Sequence, residues 1–175
     1  GGTGSRFWPY SRLDKPKQFQ DILGVGKSLL QLTYDRFAAA CPPENIYVIT
    51  HKDYTHHVKS QLPAVRKECI LEEPFRRNTA PCIAYASHKI EKINPNATCI
   101  VTPSDHVILN QESFSETLSA AMSEANDQEK LITIGIQPTR PDTVFGYIQY
   151  HEGDDLLKKV KTFTEKPEQS LASKF

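Results

Sequence analysis

The chain has 175 residues, 38% hydrophobic and 24% charged, the composition of a folded globular domain rather than a disordered chain. Lys plus Arg and Asp plus Glu each number 21, so the formal net charge is zero and the basic excess of a duplex-binding protein is absent. A small anionic substrate held by a few local cations suits this chain better than nucleic acid, and no run is long and apolar enough to suggest a membrane partner.

The chain opens on Gly1-Gly2-Thr3-Gly4-Ser5-Arg6, with Pro9, Pro16 and Lys17 following. Glycines without Cβ let backbone N–H groups close around a polyphosphate, and Arg6 and Lys17 supply fixed positive charge beside it. A surface glycine turn with unrelated cations is the alternative. Gly24-Val25-Gly26-Lys27-Ser28 ends like a P-loop, but the full pattern needs a glycine where Asp21 stands. A turn leading into a helix cap reads better there. Ser28 is expected to cap a helix carrying Leu29, Leu32, Phe37 and Ala40, ended by Pro42-Pro43.

Strand-like runs rich in Ile, Val or Tyr follow at 46–50, 69–71, 98–102, 131–136, 147–150 and 160–164. Among them, Thr79 is expected to cap a second helix, with Pro81 in its first turn and Ile83, Ala86, Ile90 and Ile93 along one face. A third helix is predicted over 111–126, with Phe114, Leu118, Ala121 and Met122 on its stripe. Strands alternating with helices imply crossover units and a mainly parallel sheet covered on both faces. The runs at 147–150 and 160–164 have no helix between them and are expected to pair antiparallel. The fold class is therefore α/β, three-layered and Rossmann-like.

Cys41, Cys69, Cys82 and Cys99 are widely spaced and form no zinc or disulfide pattern. Cys69 and Cys99 read as small buried apolar residues in a reducing compartment, and the protein is expected to be cytoplasmic. Cys82, His51, His56, His57 and His88 have no constellation around them and read as structural, while His106 reads as packing or hydrogen-bonding locally. Asp105 follows the apolar run Cys99-Ile100-Val101 and is expected at the carboxyl end of a parallel strand, where open α/β sheets bind ligands.

Five segments occur in an order that carries a resemblance. They are Gly1-Gly2-Thr3-Gly4-Ser5-Arg6-Phe7-Trp8-Pro9-Tyr10-Ser11-Arg12 with Lys15-Pro16-Lys17-Gln18-Phe19; Glu73-Pro74 with Arg77-Asn78-Thr79-Ala80-Pro81; Pro103-Ser104-Asp105-His106; Gly135-Ile136-Gln137-Pro138-Thr139; and Glu165-Lys166-Pro167. Spread over nearly the whole chain, they resemble the bacterial mannose-1-phosphate guanylyltransferases, sugar nucleotidyltransferases of Rossmann-like, GT-A-like fold. Gly146-Tyr147-Ile148 fits as well. The chain departs mildly in having Ser104 where the family commonly has Ala, and Val144-Phe145 in place of Gly-Tyr.

The resemblance implies transfer of GMP from GTP to mannose 1-phosphate, giving GDP-mannose and pyrophosphate, with Mg2+ as cofactor. It implies that Gly1, Gly2, Thr3, Gly4 and Ser5 wrap the GTP phosphates, with Arg6 at the β/γ end and Lys17 near the reacting centre. Glu73 falls where relatives read the base, with an exposed strand-end charge as the alternative; Asn78 and Thr79 either touch the base or serve only as helix caps. Asp105 is implied as the magnesium ligand, and one carboxylate suffices when substrate phosphates complete the set. Gly146 and Glu165 fall where the family holds the mannose ring, and Lys166 where a lysine meets the sugar phosphate. One nucleotidyltransferase domain is expected over 1–175, with the family's first strand ahead of Gly1 and its later sugar-binding and second metal-binding segments beyond Phe175. A homodimer is an admissible assembly. The rival functions are a related transferase using dTTP or ATP, and a non-catalytic nucleotide-binding module.

Overall fold

Ser28 opens the first helix, α1 (Leu29–Ala38), as its sequence predicts. Its Oγ accepts the Gln31 N–H at 3.2 Å, and the Gln31 side chain accepts the Ser28 N–H at 2.9 Å, so two orphan donors are satisfied reciprocally. The computed structural model describes residues 7–127, 130–153 and 156–175, which fall into two units, Gly1–Ser115 and Glu116–Phe175.

In the first unit, strand β1 (Val48–His51) leads into helix α2 (Thr55–Gln61) and then strand β2 (Ile70–Glu73). The strands pair in parallel, from Val48 opposite Ile70 to His51 opposite Glu73. This is the crossover unit that alternating patterns imply. Phe19, Leu30, Tyr54, Val58, Leu62, Val65, Cys69 and Ile70 form the core beneath it. Gln61, at the end of α2, binds three partners. It accepts from Ser28 Oγ at 2.6 Å, donates to the Phe19 carbonyl at 2.8 Å, and its own carbonyl accepts from Gln31 at 3.0 Å. The turn Lys17–Phe19 is thereby tied to both helices.

The P-loop look-alike is a turn built on Asp21, whose carboxylate accepts the N–H groups of Val25 at 3.0 Å and Gly26 at 2.7 Å. Gly24 and Gly26 take φ of 68° and 80°, which glycine adopts freely. Lys27 is paired with Asp35 at 2.7 Å. The loop's donors are spent on Asp21, and it leads into the Ser28 cap as expected.

Helix α3 (Thr79–Glu91) starts one residue earlier than the capping pattern suggests. Asn78 is its N-cap, at φ 65° and ψ −165°, and Thr79 is already helical. Of its expected apolar face, Ala86 is buried, Ile83 and Ile90 are half-buried, and Ile93 is exposed. Helix α4 (Gln111–Asp127) matches its predicted span, and its Phe114 meets Phe37 edge-on at 6.1 Å.

In the second unit, strands β3 (Gly146–Tyr150) and β4 (Val160–Glu165) pair antiparallel, with a register shift at Gln149/Tyr150. Tyr147 is buried, stacks on Phe175 at 4.7 Å, and exchanges hydrogen bonds with the Asp142 backbone. Short helix α5 (Gln169–Ala172) buries Ala172.

Two expected strands do not form among the described residues. Residues 98–102 and 131–136 join no ladder, and Val101, Leu131 and Ile136 are exposed. Apolar, β-branched composition reports an intrinsic preference, whereas a strand exists only against a hydrogen-bonded neighbour. Cys99 shares that fate and is exposed rather than buried; Cys69 is buried as expected. The class is α/β, with a parallel pair and an antiparallel pair as the sequence order requires. Among the described residues no helix is long and apolar enough to cross a membrane.

Candidate active site

Lys17 and Asp105, 88 residues apart, meet in the first unit, where the Lys17 Nζ donates to Asp105 Oδ2 at 3.3 Å. Lys17 is aimed by buried Pro16 before it and by the turn that Gln61 secures. Its ammonium also lies 5.4 Å from the centre of the Phe7 ring. Asp105 sits in a turn instead of at the end of a formed strand, because 98–102 joins no ladder among the described residues. Helix α1 holds both flanks of that turn. Thr33 Oγ1 donates to the Ser104 carbonyl at 3.3 Å, and Arg36 donates to the His106 carbonyl at 3.4 Å and to Gln111 at 3.1 Å. Thr33 and Arg36, one turn apart, are positioning residues that the sequence did not single out. Their only signal was polar character on a helix otherwise read for its apolar stripe. His106 holds the turn through its carbonyl.

Glu73 ends β2 and is only 6% exposed, so it is no solvated strand-end charge. The Cys82 thiol, from the first turns of α3, hydrogen-bonds to it. Burial pushes the Cys82 thiol pKa up, and the neighbouring Glu73 charge pushes it further. Cys82 therefore has a partner, where its sequence context suggested none. Asn78 makes no side-chain cap hydrogen bond, so the capping role weighed for it is not played by its amide. A non-glycine residue at positive φ with extended ψ is strained, and such strain gathers at functional sites. Thr79, as the first helical residue, is exposed.

In the second unit, Gly146 stands opposite Glu165 in the β3–β4 register. A Cβ at position 146 would lie 2.9 Å from Glu165 Oε2, so glycine is what leaves that carboxylate its place. Glu165 Oε1 pairs with Lys166 Nζ at 2.9 Å, and Lys166, at φ 43°, donates its N–H to the Phe145 carbonyl at 3.0 Å. The three residues named from the sequence for the sugar phosphate are thus brought together. Gly1, Gly2, Thr3, Gly4, Ser5 and Arg6 lie outside the described residues. An open cleft of about 420 Å³ lined by Leu13, Asp14, Asp53, Tyr54, His56 and Arg76 includes none of the residues expected to act.

Among the described residues no group of three or more His, Cys, Asp or Glu side chains could hold a metal ion. The donor set at Asp105 is one carboxylate with a cation already against it. A single carboxylate is enough for magnesium, which takes one or two protein carboxylates and completes its shell with water and phosphate oxygens.

A parallel strand pair joined by a crossover helix with a carboxylate–ammonium pair in the same unit, and a hairpin bearing a second such pair, are the arrangement expected of a phosphoryl-transfer protein of nucleotidyltransferase type. The nucleotidyl transferase family model matches residues 1–175, and the chain belongs to that family. It is 38% identical over 174 residues to the xanthan biosynthesis protein XanB of Xanthomonas campestris pv. campestris, covering 98% of this chain and 36% of that protein. It is 38% identical over 184 residues to a mannose-1-phosphate guanylyltransferase of Salmonella montevideo, covering 100% of this chain and 38% of the relative. A crystal structure described as a mannose-1-phosphate geranyltransferase from Thermus thermophilus superposes with a TM-score of 0.86 at 33% identity, over 98% of this chain and 50% of that one. The chain spans well under half the length of these curated relatives.

Proposed function

We propose that this chain carries the transfer of GMP from GTP to mannose 1-phosphate, releasing pyrophosphate and forming GDP-mannose. The observation that carries the reading is the Lys17–Asp105 pair at 3.3 Å, a cation and a metal-competent carboxylate set side by side by contacts distant in sequence. The likeness to relatives named for this reaction supports the choice of substrates.

The attacking group is a phosphate oxygen of mannose 1-phosphate, an anion at neutral pH, so no general base is needed. It displaces pyrophosphate from the α-phosphorus of GTP in line, and the bond to the leaving oxygen breaks as the new P–O bond forms. Catalysis then consists of positioning and charge neutralisation. Lys17 offsets phosphate charge. Asp105 would hold magnesium, which when bound supplies Lewis-acid neutralisation of the triphosphate. Glu73 suits the N1 and N2 donors of guanine, and Asn78, free of capping, can add to that recognition. Glu165 accepts from sugar hydroxyls, with Lys166 toward the sugar's phosphate.

The test is pyrophosphate release with magnesium and each pairing of GTP, ATP or dTTP with mannose 1-phosphate or glucose 1-phosphate. GTP with mannose 1-phosphate is expected to give the highest kcat/KM. Preference for dTTP or ATP would move the chain to a sister transferase. GTP binding without pyrophosphate release would make it a nucleotide-binding module.

A further inference from the structure

Lys17 and Asp105 form an ion pair that is half-buried, with side chains 29% and 38% exposed. At that depth the interaction is neither fully screened by water nor as strong as in a dry interior. A carboxylate so neutralised has lost much of its pull on a second cation. A divalent ion approaching the same group meets the ammonium a few ångströms away, and at such range the repulsion lowers affinity by about tenfold or more even in a largely aqueous dielectric. Among the described residues no group of three or more acidic, imidazole or thiol side chains stands ready to compensate.

We propose that Lys17 acts as a stand-in cation, suppressing divalent-cation binding at Asp105 until a nucleoside triphosphate draws its ammonium away. The inference rests on the reading above, in which Asp105 is the metal ligand and Lys17 a phosphate contact. A triphosphate supplies both things the free site lacks: anionic oxygens that compete for the ammonium, and oxygen ligands that complete the shell of a hard cation. The Phe7 ring offers the displaced ammonium only a weak alternative contact. The cation therefore enters with the nucleotide or after it. The nucleotide-free protein is kept from trapping a stray metal.

The experiment measures Mn2+ binding to the nucleotide-free chain by the electron paramagnetic resonance signal of the unbound ion. It compares the wild type with Lys17→Met, Lys17→Arg and the double variant Lys17→Met/Asp105→Asn. Circular dichroism melts confirm that each is folded. Lys17→Met is expected to bind Mn2+ about tenfold more tightly than the wild type, with Lys17→Arg unchanged and the gain lost in the double variant. A parallel titration asks whether magnesium strengthens GTP binding to the wild type and not to Asp105→Asn. If that dependence holds while folded Lys17→Met binds Mn2+ no more tightly, the stand-in role is overturned and the metal reading stands. If Asp105→Asn leaves the magnesium dependence of GTP binding intact, the metal reading itself fails and the stand-in role with it.

Discussion

The two units assemble their candidate residues by different routes. In the first, Lys17 and Asp105 meet across 88 residues, and neither is placed by its own element: a glutamine on α2 secures one, and a threonine and an arginine on α1 secure the other. In the second, Gly146 and Glu165 face each other because two adjacent strands are in register, and Lys166 is the next residue along. A site built on register is local and robust. A site built on long-range side-chain contacts depends on the whole unit, and substitutions far from the chemistry can loosen it.

The hardest test of this contrast is Asp105→Ala. Removing a contact that acts on transition-state charge typically lowers kcat on the order of 10²–10³-fold. The partly exposed ion pair adds only about 0–1 kcal/mol to stability, so the melting temperature should barely move. Steady-state pyrophosphate release and a thermal melt together check both halves. A folded variant with unchanged kcat would remove Asp105 from the chemistry.

In the second unit the expected effect is smaller and confined to the sugar phosphate. Hydrogen bonds to charged groups contribute about 1.5–3 kcal/mol, so Glu165→Gln should raise KM for mannose 1-phosphate by about tenfold or more while the dissociation constant for GTP stays put. Gly146→Ala should reproduce part of that change, because its methyl group would press on the Glu165 carboxylate. Should Glu165→Gln weaken GTP as strongly as the sugar phosphate, the division of roles between the two units is wrong.

The same contrast explains what the sequence could and could not disclose. The Ser28 and Gln31 capping box is local, as is the β3–β4 pair, and both are readable from spacing. The start of α3 lies one residue from its expected place because it depends on the positive φ of Asn78, which no periodicity reports. Helix α2 has no sequence signal: Thr55 and Val58 are its only buried positions, too few to set up a 3.6-residue pattern. The runs at 98–102 and 131–136 look like strands because apolar content cannot say whether a neighbour is there to bond. Asp105 is legible through its motif and the apolar run before it, and not through its supports, since Thr33 and Arg36 lie on an element with no obvious link to it. The burial of Glu73, and its bond from a cysteine that looks isolated in sequence, are matters of contact that no spacing reports.

Cys82 offers a finer probe of the first unit. A hydrogen bond of this kind contributes about 1 kcal/mol, so Cys82→Ala should reduce the preference for GTP over ATP several-fold in competitive binding, with Cys82→Ser restoring part of it. Thiolate is the reactive form, and the raised pKa of Cys82 means slower alkylation by iodoacetamide at pH 8 than at exposed Cys99. An unaltered base preference would leave Glu73 as a buried structural carboxylate.

The smallest expected effect belongs to the other glycine-rich loop of the first unit, and it separates a structural carboxylate from a functional one. Burial tends to raise the pKa of Asp21, but the N–H groups of Gly26, Val25, Gly24 and Leu23 outweigh it and hold the carboxyl below its ordinary value. A depressed folded pKa means that the ionised form is favoured by folding. The stabilisation is therefore fully present above the ordinary carboxylate range and is lost as pH falls through the lower, folded value. Thermal melts of the wild type and Asp21→Asn should differ by a small, constant amount between pH 7 and pH 5 and converge on acidification. GTP binding should be untouched by Asp21→Asn or by Lys27→Ala, because the loop's donors serve Asp21 and Lys27 serves Asp35. Loss of nucleotide affinity in either variant would mean that phosphate is gripped at this second loop, and the Lys17–Asp105 pair would no longer mark the triphosphate's place.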